Sequence, residues 1–357
     1  MFELEMLPAG HGDAIWIEYG SKRNPSRVLI DGGLSATYDA VVARAGKRCE
    51  LELMCVTHID QDHIEGAVRL LANLPPGLTV DDVWHNGYKH LAESTRLGGP
   101  QAEKLQAAIV DHARVPWNAA FGGEAVAVPG KGALPEKTLP GGLKLTLLSP
   151  GAAQLKKLKP VWEKECDKAG IKPGVTESGE AALQADKRLR PRRLGAKIDV
   201  EKLAAAEFKS DTAKANGASI AMLAEFGNKA VLLAADAHSP VVEAGLKRLL
   251  KERGQNKLRL NAFKLAHHGS QFNNSPALIE MLDCPAYLFS TNGEKFNHPD
   301  PETVARILKA RQGAKTQLWF NYRSDENGVW DAAALKKKWK YEANYPEPDA
   351  GGIRIEL

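Results

Sequence analysis

The sequence predicts an α/β fold in which β-sheets are covered by helices. Three observations carry that expectation. The first third alternates short strand-like runs with turns rich in Gly, Pro and Asn. The last third alternates apolar runs with segments of helical periodicity. Between them lies a basic stretch with few β-branched or aromatic residues. Strands followed by βα units on each side of a break is the pattern expected of sheets flanked by helices.

The elements follow in order. Phe2–Leu7, Ala14–Tyr19 and Arg27–Ile30 read as strands bounded by turn residues, and Leu51–Val56 as an apolar strand ending in polar residues. Ile64–Ala72 reads as a helix, because Ile64, Ala67, Val68 and Leu71 recur on one face. Thr79–Trp84 predicts a strand, Gln101–Ala113 a helix and Leu143–Leu148 a strand. Beyond the basic stretch, Ser219–Phe226 and Lys229–Ala235 form a predicted hairpin around Gly227-Asn228. Helix Val241–Lys251, strand Ala262–Leu265, helix Pro276–Leu282, strand Ala286–Ser290, helix Pro301–Arg311 and strand Thr316–Phe320 then alternate.

The chain has 357 residues, with 43% hydrophobic and 26% charged residues and a formal charge of +4. This composition excludes a wholly disordered, collagenous or fibrous chain. The length allows one large domain or two smaller ones. Residues 152–215 carry 15 basic against 10 acidic residues, a local +5 that accounts for the whole net excess. This stretch reads as an insertion with helices at Ala153–Ala169 and Val200–Lys209 and a mobile middle around Pro173–Gly195. The four cysteines, Cys49, Cys55, Cys166 and Cys284, form no CxxC pair and fit neither a zinc knuckle nor a disulfide framework. They read as reduced thiols of a cytoplasmic protein. The N-terminus lacks the pattern of a signal peptide, and no apolar run approaches the ~20 residues that span a bilayer, so no membrane partner is expected.

The sharpest feature is Thr57-His58-Ile59-Asp60-Gln61-Asp62-His63, with four metal-capable side chains between an apolar strand and a helix. Imidazole and carboxylate together suit a divalent cation. A solvated cluster with Asp62 as a mere helix cap is the plainer alternative. Asp236 follows the strand-like run at Val231–Ala235, and His267-His268-Gly269-Ser270 follows Ala262–Leu265. Asn297-His298-Pro299 precedes the helix from Pro301. Ligand-type residues thus recur just past the carboxyl ends of strands, where α/β proteins gather their sites.

Taken together, THIDQDH, LLAADAH and FKLAHHGS resemble the metallo-β-lactamase-fold hydrolases, an αββα sandwich. With GHGDA near the start, LIDGG at 29–33 and NHPDP at 297–301, the set is most similar to the nuclease-like domain of ComEC-type competence proteins. The motifs run from Gly10 to Pro301 and cover most of the chain outside the insertion. The resemblance implies one domain over 1–357, with residues 152–215 emerging at the mouth of the active site as a lid or regulatory segment. It implies one or two divalent ions, Zn or Mn with Mg as a further option. His58 and Asp60 would bind one, Asp62, His63 and His267 a second, and Asp236 both. Such a pair clamps a phosphoryl group and sharpens a bridging hydroxide. Asp62, His268 and His298 would serve catalysis, and Ser270, Asn216, Arg192 and Arg193 substrate binding. Asp31 and Asp13 read as residues that orient the ligands. Ala152 stands where the wider family has a further ligand His, which makes the first site oxygen-rich and favours Mn or Mg there.

The expected function is therefore a soluble metal-dependent phosphodiesterase or nuclease acting on nucleic acid or another phosphodiester. A regulatory protein or protease acting on the insertion is a further expected partner. The alternatives are a metallohydrolase for a small ester, lactone, thioester or cyclic nucleotide, and a non-catalytic binding subunit, since one fold hosts many chemistries. His90, His112 and His238 read as solvated, while His85 and His11 are left between surface and site.

Overall fold

Phe2, Leu4 and Met6 are buried and alternate with half-buried Glu3 and Glu5, the period-two pattern of a strand with one face in the core. They form β1 (Phe2–Met6) in the computed structural model, which describes residues 1–91, 100–169, 198–347 and 351–357. Along the chain follow β2 (Ile15–Gly20), β3 (Pro25–Ile30), β4 (Leu53–Cys55) and β5 (Val83–Trp84). Then come β6 (Glu136–Thr138), β7 (Lys144–Ser149), β8 (Ala221–Phe226), β9 (Lys229–Leu233) and β10 (Ala262–Lys264). The last are β11 (Ala286–Phe289), β12 (Thr316–Phe320), β13 (Tyr341–Asn344) and β14 (Ile353–Glu356).

They make two large sheets. The first has the order β14-β1-β2-β3-β4-β5, antiparallel as far as β3 and parallel beyond it. The second has the order β13-β12-β11-β10-β9-β8-β7-β6, parallel from β13 to β9 and antiparallel from there. Ile15, Ile17 and Tyr19 of β2 share one core with Leu145, Leu147 and Met222 of the second sheet. Trp16, on the opposite face of β2, packs with Leu29, Met54 and helix residues Ile64, Ala67 and Leu71. Side-chain alternation thus glues the sheets together on one face and the first sheet to helices on the other.

The longer helices are α1 (Thr37–Ala45), α2 (Gln61–Ala72), α3 (Pro100–Ala107), α4 (Ala152–Ala169), α5 (Val200–Ala204), α6 (Ser239–Arg253), α7 (Pro276–Glu280), α8 (Pro301–Ala310) and α9 (Ala333–Trp339). α2 and α3 cover the first sheet, and α6 lies so close on β7 that a Cβ on Gly245 would meet the Leu148 carbonyl at 2.7 Å. The layering is the αββα sandwich expected from the sequence. Among the described residues no helix is long and apolar enough to cross a membrane.

Several expectations need correction. Leu51–Val56 is broken at Glu52 into a short strand, Cys49–Leu51, and β4. Thr79–Trp84 is likewise split into Leu78–Val80 and β5. The helix predicted over Gln101–Ala113 loosens after Ala107 into a π-helical turn, Ala108–Ala113. The second insertion helix stops at Ala204 rather than Lys209. α4 is a core element: Leu155, Leu158 and Trp162 are buried with Tyr88, Leu105 and Ile109. The expected mobile middle, with Arg192 and Arg193, lies outside the described residues.

Candidate metal centre

The ends of β3, β4, β9, β10 and β11 converge, and each delivers polar residues to one place. The loop after β4 carries Thr57, His58 and Asp60, and α2 opens with Gln61, Asp62 and His63. Asp236 follows β9, and His267 and His268 sit in a tight turn after β10. Ala235 (φ 47°), His267 (φ 48°), His268 (φ 54°), Asp31 (φ 60°) and Asn297 (φ 55°) are all left-handed. Non-glycine residues rarely hold this conformation, and such strain concentrates at functional sites. Close backbone approach holds the loops in place. Gly12 passes Asp62 so tightly that a Cβ there would stand 1.9 Å from the Asp62 carbonyl oxygen.

Asp236 is the centre of the cluster. Its Oδ2 lies 3.7 Å from His58 Nε2, 3.4 Å from His63 Nε2, 3.7 Å from His267 Nε2 and 3.8 Å from His268 Nε2. Each imidazole is held from behind through Nδ1. His58 Nδ1 lies 3.0 Å from the Thr57 hydroxyl, whose proton goes to Asp31 Oδ2 at 2.8 Å. His63 Nδ1 faces Asp31 Oδ2 at 2.9 Å. His267 Nδ1 faces Asn273 Oδ1 at 3.0 Å, and His268 Nδ1 faces the Ser290 carbonyl at 2.9 Å. Every one of these partners accepts or can accept a proton from Nδ1, so the four Nε2 atoms turn inward toward the Asp236 carboxylate, where a bound cation would take the place of any proton on them.

The electrostatics match. Burial, aided by His63, lowers His58 to about 3, so its ring is neutral. Burial alone would lower His63, but the Asp236 and Asp31 carboxylates outweigh it and hold the ring protonated well above its ordinary range. Burial of His268 is likewise overcome by Asp236 and Asp13, which raise it to about 9. Asp236 is pulled well below the usual carboxylate range by His63, His267 and His268, against its own burial. The carboxylates therefore demand positive charge at their centre. His58 Nε2, His63 Nε2, His268 Nε2 and Asp236 Oδ1 are buried with no hydrogen-bond partner, an arrangement costly in itself and suited to a cation. Ligand atoms of Asp13, His63, Asp236 and His268 all lie within 4.8 Å of one another. The residues present thus fit a divalent metal of mixed N and O preference.

No family model matches the chain, and no curated protein matches it. Among solved structures, it aligns with CmlA, a diiron β-hydroxylase from Streptomyces venezuelae, at TM-score 0.43 and 12% identity, over 100% of this chain and 54% of the hydroxylase. A variant of that hydroxylase gives 0.42 and 11%, with 54% of its length covered. A diphosphatase from the PhnP family gives TM-score 0.41 and 13% identity, with 100% and 98% covered. The chain spans about half the length of the hydroxylase. Likenesses this distant say nothing about reaction or substrate, and the αββα description rests on the layering above.

The remaining candidates fall around the cluster. Asp60 stands at the mouth with its side chain 42% exposed, 3.8 Å from His58 Nε2. Asp62 Oδ2 lies 3.4 Å from His268 Nε2. His268, expected to touch phosphate, is fully buried on the floor, whereas His267 is 22% exposed. His298 is buried with its ring 5.4 Å from His267, and burial holds its pKa below the usual value. Ser270 is buried in the turn beneath the histidine pair, where its hydroxyl accepts the Phe272 N–H at 3.3 Å. Asn216 reaches the cluster's edge, 3.4 Å from His267 Nδ1.

Two histidines read as solvated are not. His90 is buried, with Nε2 3.1 Å from the Gly123 carbonyl, and His238 lies 3.8 Å from Asp211. His85, left undecided, is buried with Nδ1 3.0 Å from the Val56 carbonyl, directly beside the His58 loop. The sequence reading missed Lys264, Asn273 and Asp211. Lys264 is buried and donates to Asp13 Oδ2 at 2.6 Å, which compensates the carboxylate behind His268. Its signal was a lone lysine ending a strand otherwise apolar on both faces.

Proposed function

We propose that the chain is a metal-dependent hydrolase that cleaves phosphodiesters, nucleic acid foremost, at the cluster around Asp236. The convergence of four imidazole Nε2 atoms on one carboxylate oxygen, each ring fixed from behind, carries this reading. In it, His58, Asp60 and Asp236 hold one cation, and Asp62, His63 and Asp236 a second. His268 joins the second set, being 3.4 Å from Asp62 and fully buried, while the more open His267 closes the cluster on the substrate side. The three imidazoles of these sets, with His267 beside them, favour Zn over Mg. A bound divalent ion would supply Lewis-acid polarisation of a phosphoryl oxygen and a water of lowered pKa.

The chain's own residues supply the rest. Asp31, Thr57, Asn273 and Ser290 fix the ring orientations, so that the ligand lone pairs are preorganised. His298, buried beside His267 and held below its ordinary pKa by burial, can donate or accept a proton toward a leaving oxygen. The motif likeness to ComEC-type domains and the basic surplus of residues 152–215 support a polyanionic substrate over a neutral ester. Arg192 and Arg193 are proposed to meet that polyanion, and the insertion to gate the site. Deletion of residues 175–197 that leaves turnover and substrate preference unchanged rejects the gate.

The decisive experiment assays the purified chain on plasmid, single-stranded DNA, RNA and bis(p-nitrophenyl) phosphate with Mn²⁺, Zn²⁺ or Mg²⁺, beside D62A/H63A. Cleavage by the wild type alone is the expected outcome. Turnover of a lactone or thioester but of no phosphodiester overturns it in favour of a small-molecule hydrolase. Bound metal without any turnover favours a binding subunit.

A further inference from the structure

The returning limb of the insertion runs from α5 to β8 and passes directly over the turn that carries His267. The Asp211 N–H donates to the Phe272 carbonyl at 3.0 Å, and Arg306 ties the Ala206 carbonyl (3.4 Å) to those of Gln271 (2.7 Å) and Asn274 (3.0 Å). Asp211 is the acidic residue of this limb that faces inward, beside buried Asn216. Its Oδ2 accepts from Asn216 Nδ2 at 2.7 Å and from Asn273 Nδ2 at 3.1 Å, and lies 3.9 Å from His267 Nδ1 and 3.8 Å from His238 Nε2. Its Oδ1 accepts the Ala213 N–H at 2.8 Å, which pins the carboxylate plane.

Asn273 is fully buried and stands between Asp211 and His267. A side-chain amide has a donating and an accepting end, and the neighbours decide which way it points. The NH₂ end of Asn273 faces three acceptors: Asp211 Oδ2, the Asp236 carbonyl at 3.1 Å and the Ala237 carbonyl at 3.4 Å. Its carbonyl end is therefore turned to His267 Nδ1, 3.0 Å away. A ring facing an acceptor at Nδ1 carries its proton there and leaves Nε2 unprotonated; Asn216 Nδ2, a donor 3.4 Å from Nδ1, is drawn instead to Asp211 Oδ2 at 2.7 Å. That Nε2 lies 3.7 Å from Asp236 Oδ2.

We propose that Asp211 is a positioning residue that sets the tautomer of His267 through the Asn273 amide, so that the insertion supplies a working part of the site. The proposal uses the reading of His267 as part of the centre, but its test does not need hydrolysis. The carboxylate is the only one of the three acceptors that a side-chain substitution removes. An amide there that keeps the Ala213 N–H on its oxygen turns an NH₂ group toward Asn273, and this donor opposes the orientation that the Asp236 and Ala237 carbonyls favour, so the amide is no longer held one way.

Long-range ¹H–¹⁵N correlation spectra of the full-length, chelator-treated protein, taken above about pH 8 where a free imidazole is neutral, read the tautomer directly. H267Q assigns the resonance. The wild type is expected in the Nδ1–H form. D211N is expected to shift His267 to a mixture containing the Nε2–H form. The exchange pair D211N/N273D is expected to restore Nδ1–H, because a carboxylate at 273 can only accept. An Nε2–H ring in the wild type overturns the proposal, as does a pure Nδ1–H ring in folded D211N. If D211N does not fold, the exchange pair decides: Nδ1–H with a native spectrum supports the proposal, and Nε2–H overturns it. Loss of phosphodiester cleavage as a function would leave these spectra unchanged, so the two readings fail separately.

Discussion

The Thr57 hydroxyl joins two parts of the site: it donates to Asp31 Oδ2 at 2.8 Å and meets His58 Nδ1 at 3.0 Å. Asp31 also takes the Thr57 N–H and His63 Nδ1, so one carboxylate orients two rings. Thr57→Val keeps the shape but removes the oxygen, leaving His58 Nδ1 facing a methyl group. Outer partners of metal-bound histidines contribute about 10–100-fold in metal affinity. Thr57→Val is therefore expected to weaken Mn²⁺ or Zn²⁺ binding by about that factor in calorimetric titration, with a loss of about 1–3 kcal/mol in unfolding for the buried groups left unpaired; unaltered affinity would remove Thr57 from the ligand-orienting network. At this scale the legibility of the sequence was uneven. His58, Asp60, Asp62 and His63 lie in one short run, and the strand-end residues Asp236, His267 and His268 share a positional rule. Asp211, Asn273 and Lys264 act through long-range contacts, and an isolated Asp, Asn or Lys in a sequence carries no mark of its partner. The relative depths of His267 and His268 were illegible for a similar reason, since two left-handed residues in succession turn adjacent side chains to different depths.

Elements hold the cluster through backbone contact. The α2 helix leans on the loop after β3 where Gly32 meets Gly66: a Cβ on Gly66 would stand 2.0 Å from the Gly32 carbonyl oxygen, and one on Gly32 would stand 2.1 Å from the Ala67 nitrogen. The Gly66 N–H donates to the Gly33 carbonyl at 3.0 Å, and the Gly32 N–H to that of His63 at 2.8 Å. The start of α2, with Asp62 and His63, is thereby locked to Asp31. Gly66→Ala gains helix propensity yet forces the two backbones apart, and overpacking of this kind costs about 1–3 kcal/mol. Urea unfolding is expected to show that loss together with weakened metal binding; a stabilised variant would mean that the loop yields freely. The 3.6-residue period of α2 and the alternation of β1 to β3 were readable, because each buries one face only. Helix α1, the closing strand β14 and the C-terminal β13 were not foreseen. β14 matters because Ile353 to Glu356 pair with Met6 to Glu3 and cap an edge that β1 would otherwise expose.

The whole molecule places two sheets so that their strand ends meet at one rim, and ion pairs on the flanks help hold the layers. Glu225 is bound by Arg253 at 2.7 Å and Lys144 at 3.2 Å, and Glu18 by Arg44 at 2.7 Å and Arg27 at 3.0 Å. Burial pushes both carboxyls up, but the cations prevail and hold them below about 4.5, the ordinary value. A depressed folded-state pKa gives stability that is present above the unfolded value and lost as pH falls through the folded one. Thermal stability is expected to fall as the pH drops below about 4.5, with a shallower acid limb in E225Q than in the wild type; parallel limbs would show that this pair does not couple to folding. The insertion is bound to the same body at both described ends. α4 buries Leu155, Leu158 and Trp162 against the first-sheet side, where Trp162 meets Tyr88 at 5.9 Å and Glu163 bonds the Tyr88 hydroxyl. α5 packs on α8 and buries Val200 in the core that includes the second sheet. The two described limbs of the insertion are thus core elements, and the proposed gating concerns the residues between them. Trp162→Ala is accordingly expected to cost about 3–5 kcal/mol in chemical denaturation, as buried tryptophans do, in one cooperative transition that includes the metal centre. A loss below about 1 kcal/mol, or a separate early transition, would show that α4 folds apart from the sandwich.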